Sequence, residues 1–192
     1  MKRSINFWQG IGFIAVSLLG TVLHFLYGWT DSSIVALFSA VNESTWEHMK
    51  LLFFPMFLFA TAEYFIIGKN YENFWTVKLK GVLIGLLLIP TYFYTLNGVF
   101  GKTPDWVNIA IFFIAVAVAF LSETVMLKGK KQGFRFEKLA VVTFFIIAGL
   151  FFVFTFYPLR IPIFQDPISN SFGLAVSRGA YLLLISVHSM YW

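Results

Sequence analysis

The sequence contains no cysteine, and charged residues make up only 12% of its 192 positions. Without cysteine the chain has no disulfide, no thiolate nucleophile and no cysteine-ligated zinc site. The charged fraction is about half that of an ordinary soluble domain, too little to cover the surface of a soluble chain of this length. Apolar residues make up 59% of the chain and include 25 phenylalanines. This composition predicts a protein that lies in a lipid bilayer.

Motifs of several large enzyme classes are absent as well. The sequence has no Walker phosphate-binding loop, no GxSxG nucleophile motif, no dinucleotide-binding glycine pattern and no HExxH zinc motif. A net charge of +5 would suggest a nucleic-acid partner for a soluble chain. Here membrane topology explains the basic residues, so we expect no nucleic-acid partner.

Five apolar segments are long enough to cross a hydrocarbon core of roughly 30 Å, which takes about 20 helical residues. They lie at about residues 6–28, 46–67, 76–98, 106–127 and 139–158. Strands of a membrane β-barrel would be shorter and would alternate apolar with polar residues. The predicted fold is therefore all-α, a polytopic transmembrane helical bundle with five spans. The first apolar run is too long for a signal peptide, so we interpret it as a retained span.

Lysine and arginine are distributed unequally between the two ends of these spans. Ten of the 14 lie at the N-terminus and around the connections between spans 2 and 3 and between spans 4 and 5. Because basic residues are enriched on the cytoplasmic side, we predict that the N-terminus is cytoplasmic. Five of the six tryptophans fall at predicted span ends, where this residue prefers the headgroup layer: Trp8, Trp29, Trp46, Trp75 and Trp106.

The C-terminal region carries weaker signals than the rest of the chain. We predict a single transmembrane domain over residues 1–174, ending in a proline-rich outer loop, and a separate segment over residues 175–192. This segment contains Arg178 and only a short apolar run. It could form an interfacial helix, a marginal sixth span or a tail foreign to the natural chain, and the first and last of these are favoured.

Polar residues are concentrated at the end of the bundle that is predicted to face outward. An ionisable residue at the bilayer centre costs roughly 2.5–3.5 kcal/mol, so such residues mark candidate functional positions. Helical spacing places His24 on one face with small and hydroxyl residues, which favours a position inside the bundle. The candidates for binding a substrate or ion are His24, Asn42, Glu43, Glu47, His48 and Asp166.

The stretch that opens span 2 is the most polar part of the chain. Ser44 and Glu47 fit a capping box, in which each side chain bonds the backbone N–H of the other residue. Capping leaves Glu43 and His48 unexplained, and with His24 these side chains could bind a cation or perform acid–base chemistry. Zinc or another cation is the candidate cofactor, with His24, His48 and Glu47 as candidate metal ligands.

Two further carboxylates, Glu63 and Glu123, lie about one turn from the predicted cytoplasmic ends of spans 2 and 4. Lysine side chains can extend from the interface towards them. Ion pairing is the favoured interpretation, and a cytoplasmic gate or proton relay is the alternative. The lysines within reach are Lys69, Lys78, Lys80 and Lys128.

Two parts of the sequence resemble a domain-of-unknown-function family of small bacterial membrane proteins. VNESTWEHMKLLFFP, from Val41 to Pro55, resembles the NESTWEH signature of that family, and Pro162 to Pro167 followed by Phe172-Gly173 resembles its closing outer loop. The resemblance covers about residues 5–174. It implies a five-span, multi-pass protein of the bacterial plasma membrane that ends near Gly173, and it implies no activity.

A second resemblance rests on Ser44-x-x-x-His48 at the start of a span. This pattern is similar to the first motif of the haemolysin III, progestin-receptor and alkaline-ceramidase superfamily of membrane hydrolases, in which the histidine is a zinc ligand. The sequence departs from that family because the late HxxxH pair is missing, His188 alone stands near the end, and five spans replace seven.

The sequence leaves three functions open. The first is a small transporter, channel or membrane binding protein with an outward-facing polar pocket for a small cation or amine. The second is an intramembrane zinc-dependent lipid hydrolase with His24 and His48 as ligands and Glu47 as base. The third is an accessory or scaffold subunit whose polar stretch binds a partner. The missing enzyme motifs favour a protein that is not an enzyme, and the sequence predicts no oligomeric state.

Overall fold

The computed structural model describes residues 2–129 and 136–174, with side chains from Ile5 onward. Within these ranges the chain forms six α-helices and no strand. The helices are α1 (Lys2–Thr30), α2 (Ser33–Ala36), α3 (Thr45–Ile66), α4 (Phe74–Phe100), α5 (Asp105–Lys128) and α6 (Glu137–Phe156). Two short 3₁₀ helices span Gly68–Asn70 and Pro162–Phe164. The predicted segment at 175–192, with Arg178 and His188, and the basic residues Lys130, Lys131 and Arg135 lie outside the described residues.

Five of the helices are long and apolar enough to cross a membrane, which confirms the predicted five-span bundle. The spans are α1, α3, α4, α5 and α6, and their ends differ from the predicted ends by a few residues because polar residues continue several helices beyond their apolar cores. Large apolar side chains lie exposed on each span, as expected for helices that face acyl chains and not water. Examples are Leu18, Leu58, Leu87, Leu121 and Phe145, each 63–66% exposed.

Helix α3 is the most buried of the five spans. It packs against α1, α4, α5 and α6, while α4 also contacts α5 and α6. Aromatic rings fill the seam between α3 and α6, where Phe53, Phe144 and Phe151 are fully buried. The rings of Phe57 and Phe144 stack with centroids 4.7 Å apart, a contact worth about 0.5–1.5 kcal/mol beyond the area it buries. The polar residues at the start of α3 therefore belong to the most buried of the five spans.

The N-terminus of α3 forms only half of the predicted capping box. Ser44 Oγ accepts a hydrogen bond from Glu47 N at 3.4 Å. The return bond is absent: Ser44 N donates to Asn42 Oδ1 at 2.9 Å, and Glu47 Oε2 accepts from Val41 N at 3.1 Å. Asn42 takes over the predicted role of Glu47 because an asparagine oxygen readily bonds the backbone two residues ahead.

The N-terminus of α4 is capped by a residue from another helix. Glu137, in the first turn of α6, accepts hydrogen bonds from Trp75 N at 2.8 Å and Thr76 N at 3.0 Å. These are backbone donors that a helix leaves without partners in its first turn. A carboxylate at this position also interacts favourably with the helix dipole. This cap holds the start of α6 against the start of α4.

Candidate functional site

We call the end of the bundle that carries the connections α1–α3 and α4–α5 the outer end, after its predicted orientation. A cavity of about 380 Å³ lies there between α1, α3 and α5. A smaller cavity of about 90 Å³ adjoins it on the side of α4. We refer to the two cavities together as the outer pocket. Six residues line both cavities, and they are Glu43, His48, Asp105, Asn108, Phe112 and Ile168.

Three candidate residues converge at one wall of the outer pocket. His24 Nε2 lies 3.8 Å from Glu43 Oε1, and His48 Nε2 lies 3.4 Å from Glu43 Oε2. The two imidazole rings have centroids 5.3 Å apart. One ligand atom from each residue falls within 4.8 Å of the others. We call this set the His–Glu–His cluster.

A glycine allows α1 to approach closely enough for His24 to join the cluster. A Cβ atom at Gly20, one turn before His24, would lie 2.7 Å from the carbonyl oxygen of Leu51 and closer still to the ring of Phe112. Real Cβ atoms essentially never come this close to other atoms. A side chain at position 20 would therefore push α1 away from α3 and α5 and carry His24 away from its partners.

The ring of His48 is oriented by the backbone of its own helix. Its Nδ1 lies 3.0 Å from the carbonyl oxygen of Ser44. A carbonyl can only accept, so Nδ1 carries a hydrogen, and in the neutral ring Nε2 presents a lone pair. That lone pair faces a Glu43 oxygen, which is also an acceptor. A proton or a cation between the two atoms makes this arrangement favourable.

His24 has a similar need for a partner. Its Nε2 faces the other oxygen of Glu43, while its Nδ1 is buried and has no hydrogen-bond partner among the described residues. The side chains of His24, His48 and Glu43 keep 27%, 23% and 43% of their surface exposed. The cluster is therefore accessible to a small ion from the pocket while its rings are held by surrounding helices.

Glu47 does not belong to this cluster, contrary to the ligand set predicted from sequence. Its carboxylate is buried, with Oε2 2.6 Å from Lys50 Nζ. Lys50 also donates to the carbonyl oxygen of Ala36 at 2.8 Å and to Thr155 Oγ1 at 2.9 Å. The lysine one turn along α3 draws Glu47 into the protein, so Glu47 is placed neither as a metal ligand nor as a base. Glu43, just before the helix, takes its position beside the histidines.

The other two outer candidates, Asn42 and Asp166, accept hydrogen bonds from backbone N–H groups and do not line the outer pocket. Asn42 accepts from the backbone N–H of Ser44 at the start of α3. Asp166 Oδ1 accepts from Ile168 N at 2.7 Å, and Asp166 Oδ2 accepts from Ser169 Oγ at 2.9 Å. Asp166 thereby shapes the loop after α6, which contributes Ile168 to the pocket wall.

Asp105 and Asn108 are the polar residues lining both cavities that sequence reasoning missed. Both lie in the first turn of α5 and line both cavities. Asn108 Oδ1 is buried without a hydrogen-bond partner among the described residues. Their spacing of three places them on one face of the helix, a signal that could have identified them. They face the same pocket as the His–Glu–His cluster.

At the opposite end of the bundle, the carboxylates of Glu63 and Glu123 both contact Lys78. The predicted ion pairing is confirmed, with one lysine serving both acids. The other lysines predicted to be within reach, Lys69, Lys80 and Lys128, have exposed side chains. Lys78 pairs with both carboxylates because its position on α4 faces the interior of the bundle, between α3 and α5.

Comparison with known proteins gives one match. A family of unknown function (DUF6512) matches residues 1–174. The chain belongs to this family. No curated protein and no solved structure matches the chain. DUF6512 covers all five spans and every residue of the outer pocket, and it agrees with the resemblance of the sequence to an uncharacterised family. The family description names no activity, so the chemistry of the site is the guide to function.

Proposed function

We propose that this protein is a multi-pass membrane protein that binds a divalent transition-metal ion in the outer pocket, through His24, Glu43 and His48. The observation that supports this most is the convergence of two imidazoles and one carboxylate within 4.8 Å. Imidazole and carboxylate ligands suit zinc and its neighbours. Calcium and magnesium prefer sites made of oxygen atoms alone.

The separations within the cluster are close to those that a bound ion needs. With ligand bonds of about 2.1 Å, neighbouring ligand atoms in a tetrahedral zinc site lie about 3.4 Å apart. The Nε2 atoms of His24 and His48 lie 3.8 and 3.4 Å from different oxygens of Glu43, and one ligand atom from each of the three residues lies within 4.8 Å of the others. Small rotations of side chains would therefore complete a three-ligand site. The bond from His48 Nδ1 to a backbone carbonyl is the usual device that orients a metal-binding histidine.

Three protein ligands leave at least one coordination position open. Asp105 and Asn108 line the same cavity as the three ligands, so either could contribute a further oxygen or bond a water held by the ion. The distribution of basic residues supports an outward-facing pocket, and the family resemblance supports the bacterial plasma membrane. Capture of a metal ion at the outer face of that membrane is the function that we favour, and a transporter would begin with the same capture step.

A zinc-dependent lipid hydrolase is the second candidate, because catalytic zinc sites also keep an open position. Such an enzyme needs a general base near the metal-bound water. Glu47, the base predicted from sequence, is held by Lys50. Asp105 is the other carboxylate in the pocket. Lipid hydrolysis that is lost in Asp105→Asn while zinc remains bound would favour the enzyme over the binding protein.

The metal proposal is tested by measuring zinc stoichiometry and affinity of the purified protein. Wild-type protein should retain one equivalent of zinc after desalting. His48→Ala and Glu43→Gln should each weaken binding at least about 100-fold, since loss of even an outer-shell partner costs about 10–100-fold. Asp31→Asn is the matched control, because Asp31 is exposed at the same end and bonds Tyr27 outside the cluster.

Three results would contradict the proposal. The first is wild-type protein that binds no zinc or related ion. The second is unchanged affinity in both His48→Ala and Glu43→Gln, which would place any bound metal elsewhere in the chain. Equal losses in the variants and in Asp31→Asn would indicate a general effect of charge at this end and not coordination.

A further inference from the structure

The inner half of the bundle holds a second group of buried charges, which we call the carboxylate–lysine cluster. It consists of Glu63 on α3, Lys78 on α4 and Glu123 on α5, and all three side chains are almost completely buried. Glu63 lies fifteen residues beyond His48 on α3, which corresponds to about 22 Å of helix. The cluster is therefore separate from the outer pocket.

The charges of this cluster do not balance. Lys78 Nζ lies 2.5 Å from Glu123 Oε2 and also contacts a carboxylate oxygen of Glu63. Lys78 is the only cation paired with either acid among residues 5–129 and 136–174. With all three groups ionised the cluster would carry one excess negative charge. An unpaired charge buried among membrane-spanning helices is strongly unfavourable, because neither water nor a counter-ion stabilises it.

Apart from the two carboxylates, the groups around the ammonium group of Lys78 are aromatic rings. The rings of Phe59, Phe74 and Phe120 surround its ammonium group, with centroids 5.9, 5.5 and 5.5 Å from Nζ. Glu123 reaches the lysine across Gly81, where a Cβ atom would lie 2.5 Å from Glu123 Oε1. The close packing favours a small ligand over a hydrated ion.

Two buried acceptor atoms at this cluster, one on Gln9 and one on Glu123, have no hydrogen-bond donor among the described residues. Gln9 of α1 donates from Nε2 to Glu63 Oε1 at 2.9 Å. Its own carbonyl oxygen, Oε1, is buried without a partner among the described residues, and so is Glu123 Oε1. Both atoms are acceptors. A proton added to one carboxylate would turn one of its oxygens from an acceptor into a donor, and it would remove the excess charge.

The nearby phenol adds no negative charge. Tyr71 lies in the connection between α3 and α4, outside the spans. Its burial and the carboxylate of Glu63 both raise the pKa of the Tyr71 hydroxyl. Tyr71 therefore keeps its proton at neutral pH, and the balance of the cluster depends on Glu63, Lys78 and Glu123, beside the neutral amide of Gln9.

From the charge balance and the missing donor, we infer that the carboxylate–lysine cluster is a proton-binding site, which holds one proton shared between Glu63 and Glu123. The occupied cluster contains one carboxylic acid, one carboxylate and one ammonium group, and its net charge is zero. Release of the proton restores the excess negative charge and leaves Lys78 shared between two carboxylates. The inference does not depend on metal binding at the outer end.

Infrared spectroscopy of the full-length protein in lipid tests this directly, because a carboxylic acid has a C=O stretch that a carboxylate lacks. Wild-type protein at neutral pH should show the band of one buried carboxylic acid. Glu63→Gln and Glu123→Gln should each abolish it, because Lys78 then balances the single remaining carboxylate. Lys78→Met should double it, because both carboxyls must then be neutral. Glu137→Gln, which removes a capping carboxylate at the same end, should leave the band unchanged.

These spectra distinguish a bound proton from a bound cation. Absence of a buried carboxylic acid band in wild-type protein would overturn the inference and indicate that a cation neutralises the cluster. A band that persists in both Glu63→Gln and Glu123→Gln would also overturn it, since the proton would then belong to another group. If Lys78→Met does not fold, the two glutamine variants decide alone, because they keep the size of the side chains and a balanced ion pair.

Discussion

Replacement of Lys78 by methionine should destabilise the folded protein by about 3–5 kcal/mol, the usual result of removing one partner from a buried ion pair. Lys78 is the shared partner of Glu63 and Glu123. Without it both carboxyls must be neutral to stay buried. Adding one proton at pH 7 to a carboxyl with an ordinary pKa of about 4.3 costs about 3.7 kcal/mol, which agrees with that range.

Unfolding in detergent micelles, followed by tryptophan fluorescence, measures this loss. Lys80→Met is the matched control, because Lys80 lies on the same helix and its side chain is exposed. We expect the control to change stability by less than about 0.5 kcal/mol. Adding Glu63→Gln and Glu123→Gln to Lys78→Met should restore most of the lost stability. A loss for Lys78→Met no larger than that of Lys80→Met would show that the buried ion pairs are not formed.

The second large effect is expected at the outer end, where Lys50→Met should also cost about 3–5 kcal/mol. Lys50 is fully buried, and its ammonium group joins Glu47 of α3 to Ala36 of α2 and Thr155 of α6. Removing it leaves the carboxylate of Glu47 buried without a cation. The carbonyl of Ala36 loses its donor at the same time.

Thr155→Val is the graded comparison for Lys50→Met. It removes one neutral acceptor of Lys50 but keeps the pair with Glu47, so we expect a loss of about 1 kcal/mol. Zinc affinity should also fall in Lys50→Met, although Lys50 contacts no proposed ligand. Glu47 Oε2 accepts a hydrogen bond from the backbone N–H of Val41. Val41 lies two residues before Glu43, so a displaced Glu47 should also disturb this proposed ligand. Equal losses of stability in Lys50→Met and Thr155→Val would show that the Glu47–Lys50 ion pair does not contribute more than the hydrogen bond to Thr155.

The spans could be predicted from sequence because their signal is local. Length and apolar content of each run decide whether a helix can cross a bilayer, and these are properties of about 20 consecutive residues. Even so, the same local counting placed Lys78 among the basic residues of the cytoplasmic interface. In the structure Lys78 lies inside the bundle. Only the packing of α3, α4 and α5 shows that two carboxylates contact it there.

The residue types of the candidate site could be predicted from sequence, but not which carboxylate lies beside the two histidines. His24, Glu43 and His48 were all candidates, since ionisable residues near an apolar span are conspicuous. Which carboxylate joins the histidines depends on where α3 begins. The helix begins at Thr45, so Glu43 stays outside it and can turn towards His24. Glu47 lies within the helix, one turn before Lys50, and pairs with that lysine.

X-ray absorption at the zinc edge, on protein loaded with one equivalent of zinc in lipid, tests metal binding by the His–Glu–His cluster most directly. Wild-type protein should show nitrogen and oxygen ligands at about 2.0–2.1 Å, with outer-shell scattering from two imidazoles. In His48→Ala the imidazole scattering should fall to that of one ring. A shell of oxygen atoms alone, with no imidazole signal in wild-type protein, would contradict coordination by His24 and His48.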